Sequence, residues 1–328
     1  MDNKYILVAG YGWSGSSAVV DLLKEYENVV EPDVEFRLIK DPYGLADLRY
    51  KITQNWDALT VDTAIKDFLW YASCLNRSSA KSRFSLSTGL DYNKKLGNHF
   101  LAETYRFIDE IVSFTYQSDW WMSSFKKSKY EVLKQKVLNR IRHFEVPKMY
   151  FSECSEQKFD ENCKKYLNNL FVNYGDKYIL LDQAIPPQYP EMAQSYFESA
   201  KMIIVDRDPR DIYVDLINGK NLIGLELSRK HDVSKYLLWH NAYRQNEKKI
   251  KSMVNVKRIY FEELVLNYDE TVQSIESFLN LEDKNHINKK KLFEPLVSKK
   301  NIGLWKQYPN QKEIQIIEKE LSEFIFEY

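Results

Sequence analysis

Residues 4–17 read Lys-Tyr-Ile-Leu-Val-Ala-Gly-Tyr-Gly-Trp-Ser-Gly-Ser-Ser, an apolar run that passes into a glycine-rich turn. The run over residues 4–9 predicts a buried parallel strand that stops at Gly10. A helix over residues 16–26 is predicted by the spacing of four apolar residues, Val19, Val20, Leu22 and Leu23. Three of the ten glycines of the chain lie within its first fifteen residues, so the turn needs special backbone geometry. Strand, glycine-rich turn and helix together open an α/β nucleotide-binding fold.

The rest of the chain continues the α/β pattern after a long interruption. Further apolar runs predict strands at residues 28–30, 178–181, 202–205 and 256–260. Residues 45 to about 172 have helical periodicity and many aromatic side chains, which predicts a mainly helical insertion. We find no internal repeat and no flexible linker. The sequence therefore predicts one α/β domain over residues 1–328, with a parallel central sheet, flanking helices and this insertion.

The overall composition argues against two classes of protein, nucleic-acid binders and membrane-spanning proteins. The 328 residues include 47 basic and 47 acidic side chains, and a net charge of zero argues against a general nucleic-acid binder. The sequence contains no run of about 18 apolar residues, the length that a membrane-spanning helix needs. The N-terminus lacks the features of a signal peptide. The three cysteines have no metal-ligand spacing. We expect a cytoplasmic protein with no stable membrane insertion.

The glycine-rich turn has three interpretations. Gly10, Gly12 and Gly15 form G-x-G-x-x-G, the dinucleotide fingerprint, and either Glu31 or Asp33 could serve as its ribose acid. The turn also has Walker A spacing, but a serine stands where that motif requires lysine, which argues against NTP hydrolysis. The third interpretation rests on Ser14, Gly15, Ser16 and Ser17. That string resembles the S-G-T-T loop with which PAPS-dependent sulfotransferases hold the 5′-phosphosulfate of 3′-phosphoadenylyl sulfate (PAPS).

A second segment supports the third interpretation. Residues 202–217 read Met-Ile-Ile-Val-Asp-Arg-Asp-Pro-Arg-Asp-Ile-Tyr-Val-Asp-Leu-Ile, an apolar strand followed by a helix cap and a proline. The strand delivers Arg207 to the edge where α/β sheets bind ligands. The segment resembles the R-D-P-R-D motif of PAPS-dependent sulfotransferases, in which the first arginine holds the 3′-phosphate. The family often has a serine eight residues later, where this chain has Asp215.

Two more segments extend the resemblance towards the end of the chain. Residues 301–308 resemble the closing G-x-W-K/R element of the family, with Trp305 for packing and Lys306 as a cation at the nucleotide. Residues 258–265 resemble a strand and turn that is mainly structural. The resemblance implies a P-loop-like sulfotransferase architecture. It also implies transfer of a sulfuryl group from PAPS to an acceptor hydroxyl, with PAP as product and no metal.

The resemblance also suggests the catalytic residues. Residues 34–39 resemble the Glu-x-Arg segment of tyrosylprotein sulfotransferases, which implies Glu35 as the base, with Arg37 beside it on the sulfuryl group or acceptor. Glycan sulfotransferases use a comparable glutamate. Asp41 is the reserve base and a candidate acceptor residue. None of the five histidines matches the histidine base of steroid and phenol sulfotransferases; they lie at positions 99, 143, 231, 240 and 286.

One position departs from the family pattern at the centre of the site. Most relatives have lysine or arginine immediately before the S-G-T-T loop, whereas this chain has Trp13. We therefore expect Gly12 and Trp13 to line the nucleotide site and a cation to enter from elsewhere. Arg37 is the first choice, with Lys306 and Lys220 behind it. Gln183, at the end of another strand, and Lys220 are weaker candidates for the acceptor site.

Three functions are consistent with these sequence features. The first is a PAPS-dependent O-sulfotransferase acting on a small-molecule or glycan acceptor, with a glycan preferred over a lipid or steroid because the candidate base is acidic. The second is an NAD(P)-dependent oxidoreductase that uses Gly10, Gly12 and Gly15. The third is a PAP-binding relative without catalysis, which the departures at Trp13 and Asp215 suggest.

Overall fold

The structure is a computed structural model that describes residues 4–79, 88–118, 120, 128–141, 146–246 and 253–328. The chain divides into two compact units. The first comprises residues 1–40, 94–97 and 167–328, and the second comprises residues 41–93 and 98–166. The second unit falls within or close to the predicted insertion of residues 45–172.

The described residues contain seven strands, which we number in chain order: β1 (Lys4–Gly10), β2 (Val29–Val30), β3 (Phe114–Gln117), β4 (Lys148–Phe151), β5 (Tyr178–Asp182), β6 (Ala200–Asp206) and β7 (Val256–Tyr260). The helices of the same residues are α1 (Ser16–Leu23), α2 (Leu45–Thr53), α3 (Ala58–Asn76), α4 (Tyr92–Lys95), α5 (Phe100–Ile111), α6 (Lys129–Ile141), α7 (Glu156–Leu170), α8 (Ala193–Tyr196), α9 (Pro209–Gly219), α10 (Gly224–Lys230), α11 (Val233–Tyr243), α12 (Phe261–Leu266), α13 (Tyr268–Leu279), α14 (Pro295–Ser298) and α15 (Gln311–Glu320). Among these helices, none combines the length and apolar composition needed to cross a membrane.

The first unit is built on a five-stranded sheet in the order β2-β5-β1-β6-β7. Every neighbouring pair is parallel, and β1 lies at the centre with Leu7 opposite Leu181 on one side and Met202 on the other. Helices flank the sheet, and an apolar cluster packs α1, α12 and α13 against one face around Val19, Leu264 and other buried side chains. The predicted α/β class with a parallel central sheet is confirmed.

The strand order bears on the dinucleotide interpretation. In the Rossmann fold the second strand lies next to the first, whereas here β5 separates β2 from β1. The two candidate ribose acids are also engaged elsewhere. Glu31 accepts a hydrogen bond from the backbone N–H of Val34 at 3.0 Å, and Asp33 forms an ion pair with Lys95. The topology and these contacts therefore disfavour a dinucleotide site.

The first helix is shorter than the predicted residues 16–26, because the chain leaves the helix after Leu23. The side chain of Glu25 is fully buried, and its two oxygens accept hydrogen bonds from the backbone N–H groups of Lys290, Leu292 and Phe293. This carboxylate fixes the end of α1 to a segment more than 260 residues away in sequence. That contact cannot be seen from helical periodicity.

The second unit is mainly helical, as predicted for most of the insertion. Asp57 caps α3 by accepting from the N–H groups of Leu59 and Thr60. Helix α5 packs between α3 and α7 through Phe107, whose ring contacts Phe68 of α3 and both Phe159 and Tyr166 of α7. The unit also contains an antiparallel pair, β3 with β4. These four-residue strands were not predicted, because such short segments carry too little alternation to stand out from helical surroundings.

Candidate active site

The glycine-rich turn follows β1 and adopts a backbone that glycine favours. Gly12, Trp13 and Gly15 have φ angles of 80°, 55° and 80°. A Cβ atom at Gly15 would also lie 2.6 Å from the Phe261 ring, so both the backbone and the packing require glycine there. A Cβ atom at Gly10 would lie 2.1 Å from Oγ of Ser14. The concentration of glycine in this turn is thus explained by its geometry.

The turn delivers the N-terminus of α1 to a cavity of about 430 Å³. Ten residues from the turn, the segment after β2 and the end of β5 line this cavity: Gly10, Gly12, Trp13, Gly15, Ser16, Ser17, Glu35, Arg37, Asp182 and Gln183. Backbone N–H groups at a helix N-terminus attract anions, and two serine hydroxyls add donors. The cavity therefore has the groups needed to hold a tetrahedral anion. Ser14 is buried beneath the turn and does not line the cavity.

Local chain geometry brings Glu35 and Arg37 to the cavity together. Phe36 between them is fully buried, and its N–H donates to the carbonyl of Asp182 at 2.9 Å. Alternate residues of an extended segment point the same way, so burial of Phe36 and Leu38 turns the two charged side chains to the opposite side. Nη1 of Arg37 lies 3.2 Å from Oε2 of Glu35, and both side chains remain partly exposed.

Gln183 connects the turn to a lysine that the sequence analysis missed. Its backbone is left-handed with φ of 57°, immediately after β5. Its Nε2 donates to Oγ of Ser16 at 3.0 Å, and its Oε1 accepts from Nζ of Lys40 at 2.9 Å. The amide therefore orients the hydroxyl of Ser16. It also links this hydroxyl, through its second hydrogen bond, to the cation of Lys40.

Asp182, the neighbour of Gln183 at the end of β5, also lines this cavity, although the sequence did not predict it as a proton acceptor. Burial, followed by the nearby charge of Glu35, raises the pKa of its carboxyl to about 6. One of its oxygens, Oδ1, has no hydrogen-bond partner among the described residues. A carboxyl that titrates near neutral pH in a cavity is a candidate proton acceptor. The only sequence signal was its place at the carboxyl end of an apolar strand.

Arg207 lies at the next strand end, after β6, and its guanidinium is largely engaged within the protein. Nη1 donates to the carbonyl of Trp13 at 3.0 Å and to the carboxylate of Asp215 at 2.5 Å. Nη2 donates to the carbonyl of Asn301 at 2.6 Å. Only Nε has no partner within the described part of the chain. The acid at position 215 thus contacts the arginine directly.

Neighbouring charges hold the segment around Arg207 in place. Asp206 is fully buried, which by itself would raise its pKa, but Arg244 and then Arg258 outweigh burial and lower it. Arg244 binds this carboxylate through both terminal nitrogens, at 2.5 and 2.7 Å. Asp208 caps α9 as predicted by accepting from the N–H of Arg210. The guanidinium of Arg207 is therefore held on a rigid strand end.

The closing segment is attached to the same helix. The carboxylate of Asp211 accepts hydrogen bonds from the N–H groups of Gly303 and Trp305, at 2.8 and 3.2 Å. Burial raises the pKa of this carboxyl. The guanidinium of Arg210 stacks on the Trp305 ring at 3.9 Å. Residues from the R-D-P-R-D segment therefore position the segment that contains Gly303 and Trp305.

A second cavity of about 420 Å³ also borders the turn. Its lining includes Gly15, Ser17, Arg207 and Phe261, together with the acids Asp21 and Glu294. Among the residues that line it, Arg207 is the one basic side chain. The two cavities share Gly15 and Ser17, so a ligand bound to the turn could reach both.

Other predicted residues lie outside the two cavities. Lys306 lies over the rings of Trp305 and Tyr328 and lines neither cavity. Lys220 is exposed at the end of α9. Asp41 belongs to the second unit, where its carboxylate accepts from the Tyr71 hydroxyl at 2.9 Å.

The described histidines are also outside the two cavities. None of the four that the structure describes lines either cavity; these are His99, His231, His240 and His286. Burial and then Arg244 lower the pKa of His240 to about 3. His143 lies outside the described residues.

Comparisons with known proteins give matches in structure alone. No model of a protein family matches the chain, and a search of curated proteins finds no match either. The sulfotransferase domain from the curacin biosynthetic pathway is similar in structure, with 13% identity, coverage of 98% of both chains and a TM-score of 0.49. The sulfotransferase domain from the olefin synthase of Synechococcus PCC 7002 has 12% identity, coverage of 97% and 94%, and a TM-score of 0.41.

A third similar structure is a sulfotransferase from Mycobacterium avium, with 13% identity, coverage of 100% of this chain and 78% of that chain, and a TM-score of 0.42. All three structures are named as sulfotransferases.

Proposed function

We propose that this protein is a PAPS-dependent sulfotransferase that transfers a sulfuryl group to an acceptor hydroxyl and releases PAP. The observation that carries the proposal is the shared cavity of the serine-glycine turn, Glu35 and Arg37. In-line transfer of a charged group needs an anion site to hold the group, a carboxylate to take a proton and a cation to stabilise charge. The first cavity contains all three. No metal is required, because protein donors and cations can stabilise the transferring group.

The donor would bind across the two cavities. The N–H groups of the turn, with the hydroxyls of Ser16 and Ser17, would hold the 5′-phosphosulfate, and Trp13 would form a wall beside it. Arg207 would bind the 3′-phosphate, with Lys306 as a more distant cation. Asp215 binds the same guanidinium. The 3′-phosphate must therefore either displace this carboxylate or share the guanidinium with it. That competition is the main departure of this site from the family pattern.

The chemical step would use groups of the first cavity. An acceptor oxygen attacks the sulfur, the new O–S bond forms, and the S–O bond to the 5′-phosphate breaks. Glu35 takes the acceptor proton, and Arg37 stabilises charge on the sulfuryl oxygens. Asp182, with its pKa near 6, is an alternative proton acceptor in the same cavity. Gln183, which forms hydrogen bonds with Ser16 and Lys40, would orient the serine hydroxyl and hold the lysine near the leaving oxygen.

The acceptor would be a small molecule or a glycan, with a glycan preferred. Support comes from the acidic and amide side chains of Glu35, Asp182 and Gln183, which suit sugar hydroxyls better than a steroid ring. Asp41 and Lys220 remain weaker candidates for acceptor contacts. We also propose that the protein acts in the cytoplasm.

A ligand-binding experiment tests the proposal. PAP should raise the melting temperature more than AMP or NAD does, because only PAP carries the 3′-phosphate. A hundredfold excess over Kd corresponds to about 2.7 kcal/mol of added stability. Arg207→Ala should remove most of the difference between PAP and AMP, since charge-assisted hydrogen bonds contribute about 1.5–3 kcal/mol each. Equal shifts with PAP and AMP, or a larger shift with NAD, would contradict the proposal.

A second candidate function is favoured by one observation. Trp13 stands where relatives have a cation, so the turn itself supplies no side-chain charge. A protein that binds PAP but transfers nothing would fit this departure. Transfer of radiolabelled sulfate from PAPS to a panel of glycans and small hydroxyl compounds separates the two candidates. PAP binding without transfer to any acceptor, together with no release of PAP, would favour the binding protein.

A further inference from the structure

A cluster of three metal-ligating side chains lies outside both cavities, at the end of α13. Glu276, Asp283 and His286 each offer one ligand atom, and these atoms all lie within 4.8 Å of one another. None of the three lines either cavity. Glu276 comes from the last turn of α13, and Asp283 begins the short 3₁₀ turn Asp283–Asn285, which His286 follows directly.

His286 indicates that the cluster binds a ligand, because one of its ring nitrogens is buried and has no partner among the described residues. The residue is 4% exposed. Its Nε2 lies 2.8 Å from Oε2 of Glu25, while Nδ1 has no hydrogen-bond partner among the described residues. A buried polar atom of this kind costs about 1–3 kcal/mol unless a partner satisfies it. The cluster therefore contains a group that lacks a partner and is not exposed to water.

Glu25 determines which nitrogen is available. Its two oxygens already accept from the backbone N–H groups of Lys290, Leu292 and Phe293, so it has no hydrogen to donate to the imidazole. The hydrogen of the contact must therefore belong to Nε2 of His286, which leaves a lone pair on Nδ1 in the neutral ring. Metal-bound histidines usually donate their other ring N–H to a carboxylate in this way, which fixes the tautomer and the orientation of the ring.

The remaining contacts orient the cluster. The ring of Tyr26 stacks on His286 with centroids 4.2 Å apart, and its hydroxyl donates to Oε1 of Glu276 at 2.8 Å. One tyrosine thus fixes both the imidazole plane and the carboxylate, and Oε2 of Glu276 is left for another ligand. Asp283 lies at the surface, where its Oδ1 pairs with Nζ of Lys289 at 2.5 Å. Since both of these side chains are more than half exposed, exchanging the lysine for another cation costs little.

We propose that Glu276, Asp283 and Nδ1 of His286 bind a divalent first-row transition ion, Zn²⁺ foremost, with water completing its coordination. One imidazole and two carboxylates form a nitrogen and oxygen set that suits Zn²⁺. Mg²⁺ is disfavoured because it prefers oxygen ligands alone. The ion would join the end of α13 to the segment that continues to Phe293 and Glu294 in the wall of the second cavity. The site is independent of the proposed transfer reaction.

Metal titration of the full-length protein tests the site directly. After treatment with a chelator, calorimetry with Zn²⁺ should give one site per chain. Asp283→Asn and Glu276→Gln should each weaken binding at least tenfold, since each removes an anionic ligand. Lys289→Gln should tighten binding, because it removes the cation that competes for Asp283. Glu282→Gln, which alters a neighbouring exposed acid outside the cluster, is the matched control and should leave the affinity unchanged.

Two further outcomes decide between this site and another one. Co²⁺ in place of Zn²⁺ should give a visible spectrum of nitrogen and oxygen ligation without thiolate charge-transfer bands, which separates the cluster from the three cysteines. Failure to bind Zn²⁺ would overturn the proposal, as would equal affinities in wild type, Asp283→Asn and Glu276→Gln. Each variant's melting temperature without metal shows whether it folds, and both substituted side chains are outside the hydrophobic core.

Discussion

The guanidinium of Arg207 donates a hydrogen bond to the carboxylate of Asp215, eight residues further along the chain. The same nitrogen donates to the carbonyl of Trp13. One group thus joins the end of β6, the helix that follows it and the glycine-rich turn. A 3′-phosphate on this arginine would compete with the acid for the guanidinium.

Asp215→Ser, which introduces the serine common at this position among PAPS-dependent sulfotransferases, should strengthen PAP binding. Removing a negative charge next to the phosphate and freeing one N–H of the guanidinium should lower the Kd for PAP about tenfold to a hundredfold, or about 1.4–2.8 kcal/mol. The Kd for AMP should change little, because AMP has no 3′-phosphate. Calorimetric titration measures both.

The matched control for this variant is Glu318→Gln. Glu318 pairs with Arg210 in the same segment, at 3.2 Å, but does not contact Arg207. The control should leave the affinities for both nucleotides unchanged. If Asp215→Ser weakened PAP binding, the carboxylate would be a necessary support of Arg207 and not its competitor.

Replacement of Arg37 should remove transfer activity while replacement of Trp13 by another ring should not. Loss of a catalytic electrostatic contact costs about 3–4 kcal/mol, so Arg37→Ala should slow turnover by about 10²–10³. Trp13→Phe preserves a ring against the cluster around α9 and should retain most activity. Initial rates of transfer from PAPS are the measurement. A manyfold rise in turnover for Trp13→Lys would show instead that nothing in the native site replaces the missing cation.

The two carboxylates of the first cavity can be separated by their pH dependence. Glu35→Gln should leave PAP affinity nearly intact and slow transfer by about 10²–10⁴. The pKa of Asp182 is raised to about 6, so this group gains a proton as the pH falls through 6. If its charge is needed, kcat/KM of the wild type should fall below about pH 6, and Asp182→Asn should lack this limb. A full rate for Glu35→Gln would make Asp182 the base.

Glu262 should make the protein less stable at high pH. Its side chain is fully buried and accepts a hydrogen bond from the N–H of Asp208 at 3.0 Å, and burial raises its pKa to about 7. The folded state therefore holds a proton that the unfolded state has released, so stability falls as pH rises towards 7. Glu262→Gln mimics the protonated group.

Denaturant unfolding of wild type and Glu262→Gln at two pH values measures this effect. The advantage of the variant should be about 2 kcal/mol larger at pH 8 than at pH 5. A difference that does not change with pH would mean that the buried group keeps an ordinary pKa.

The sheet was predictable because buried parallel strands are short continuous apolar runs. The run at residues 256–260 is β7 itself, and the run at 178–181 is extended by one residue in β5. Most of the residues that line the first cavity were also named as candidates from the sequence, since they lie in a glycine-rich turn and at strand ends. What the sequence could not indicate is pairing across long distances, such as Glu25 with residue 290 and beyond.

The same limit applies to the chemistry of the site. The pKa of Asp182 depends on burial and on Glu35, which is nearly 150 residues away in sequence. The contact of Arg207 with Asp215 depends on side-chain direction, which the spacing alone does not fix. The sequence therefore predicts which residues approach the sheet edge, but not which of them already have partners there.

The order of strands in the sheet also limits how the chain can fold during synthesis. Both neighbours of β1 are encoded late, since β5 begins at Tyr178 and β6 at Ala200. While the ribosome adds the intervening residues, β1 has no sheet partner. Its apolar side chains then stay exposed to solvent unless another protein covers them. Truncated chains that end before residue 178 should therefore engage holdase chaperones through the first ten residues, and chains extended past β6 should release them.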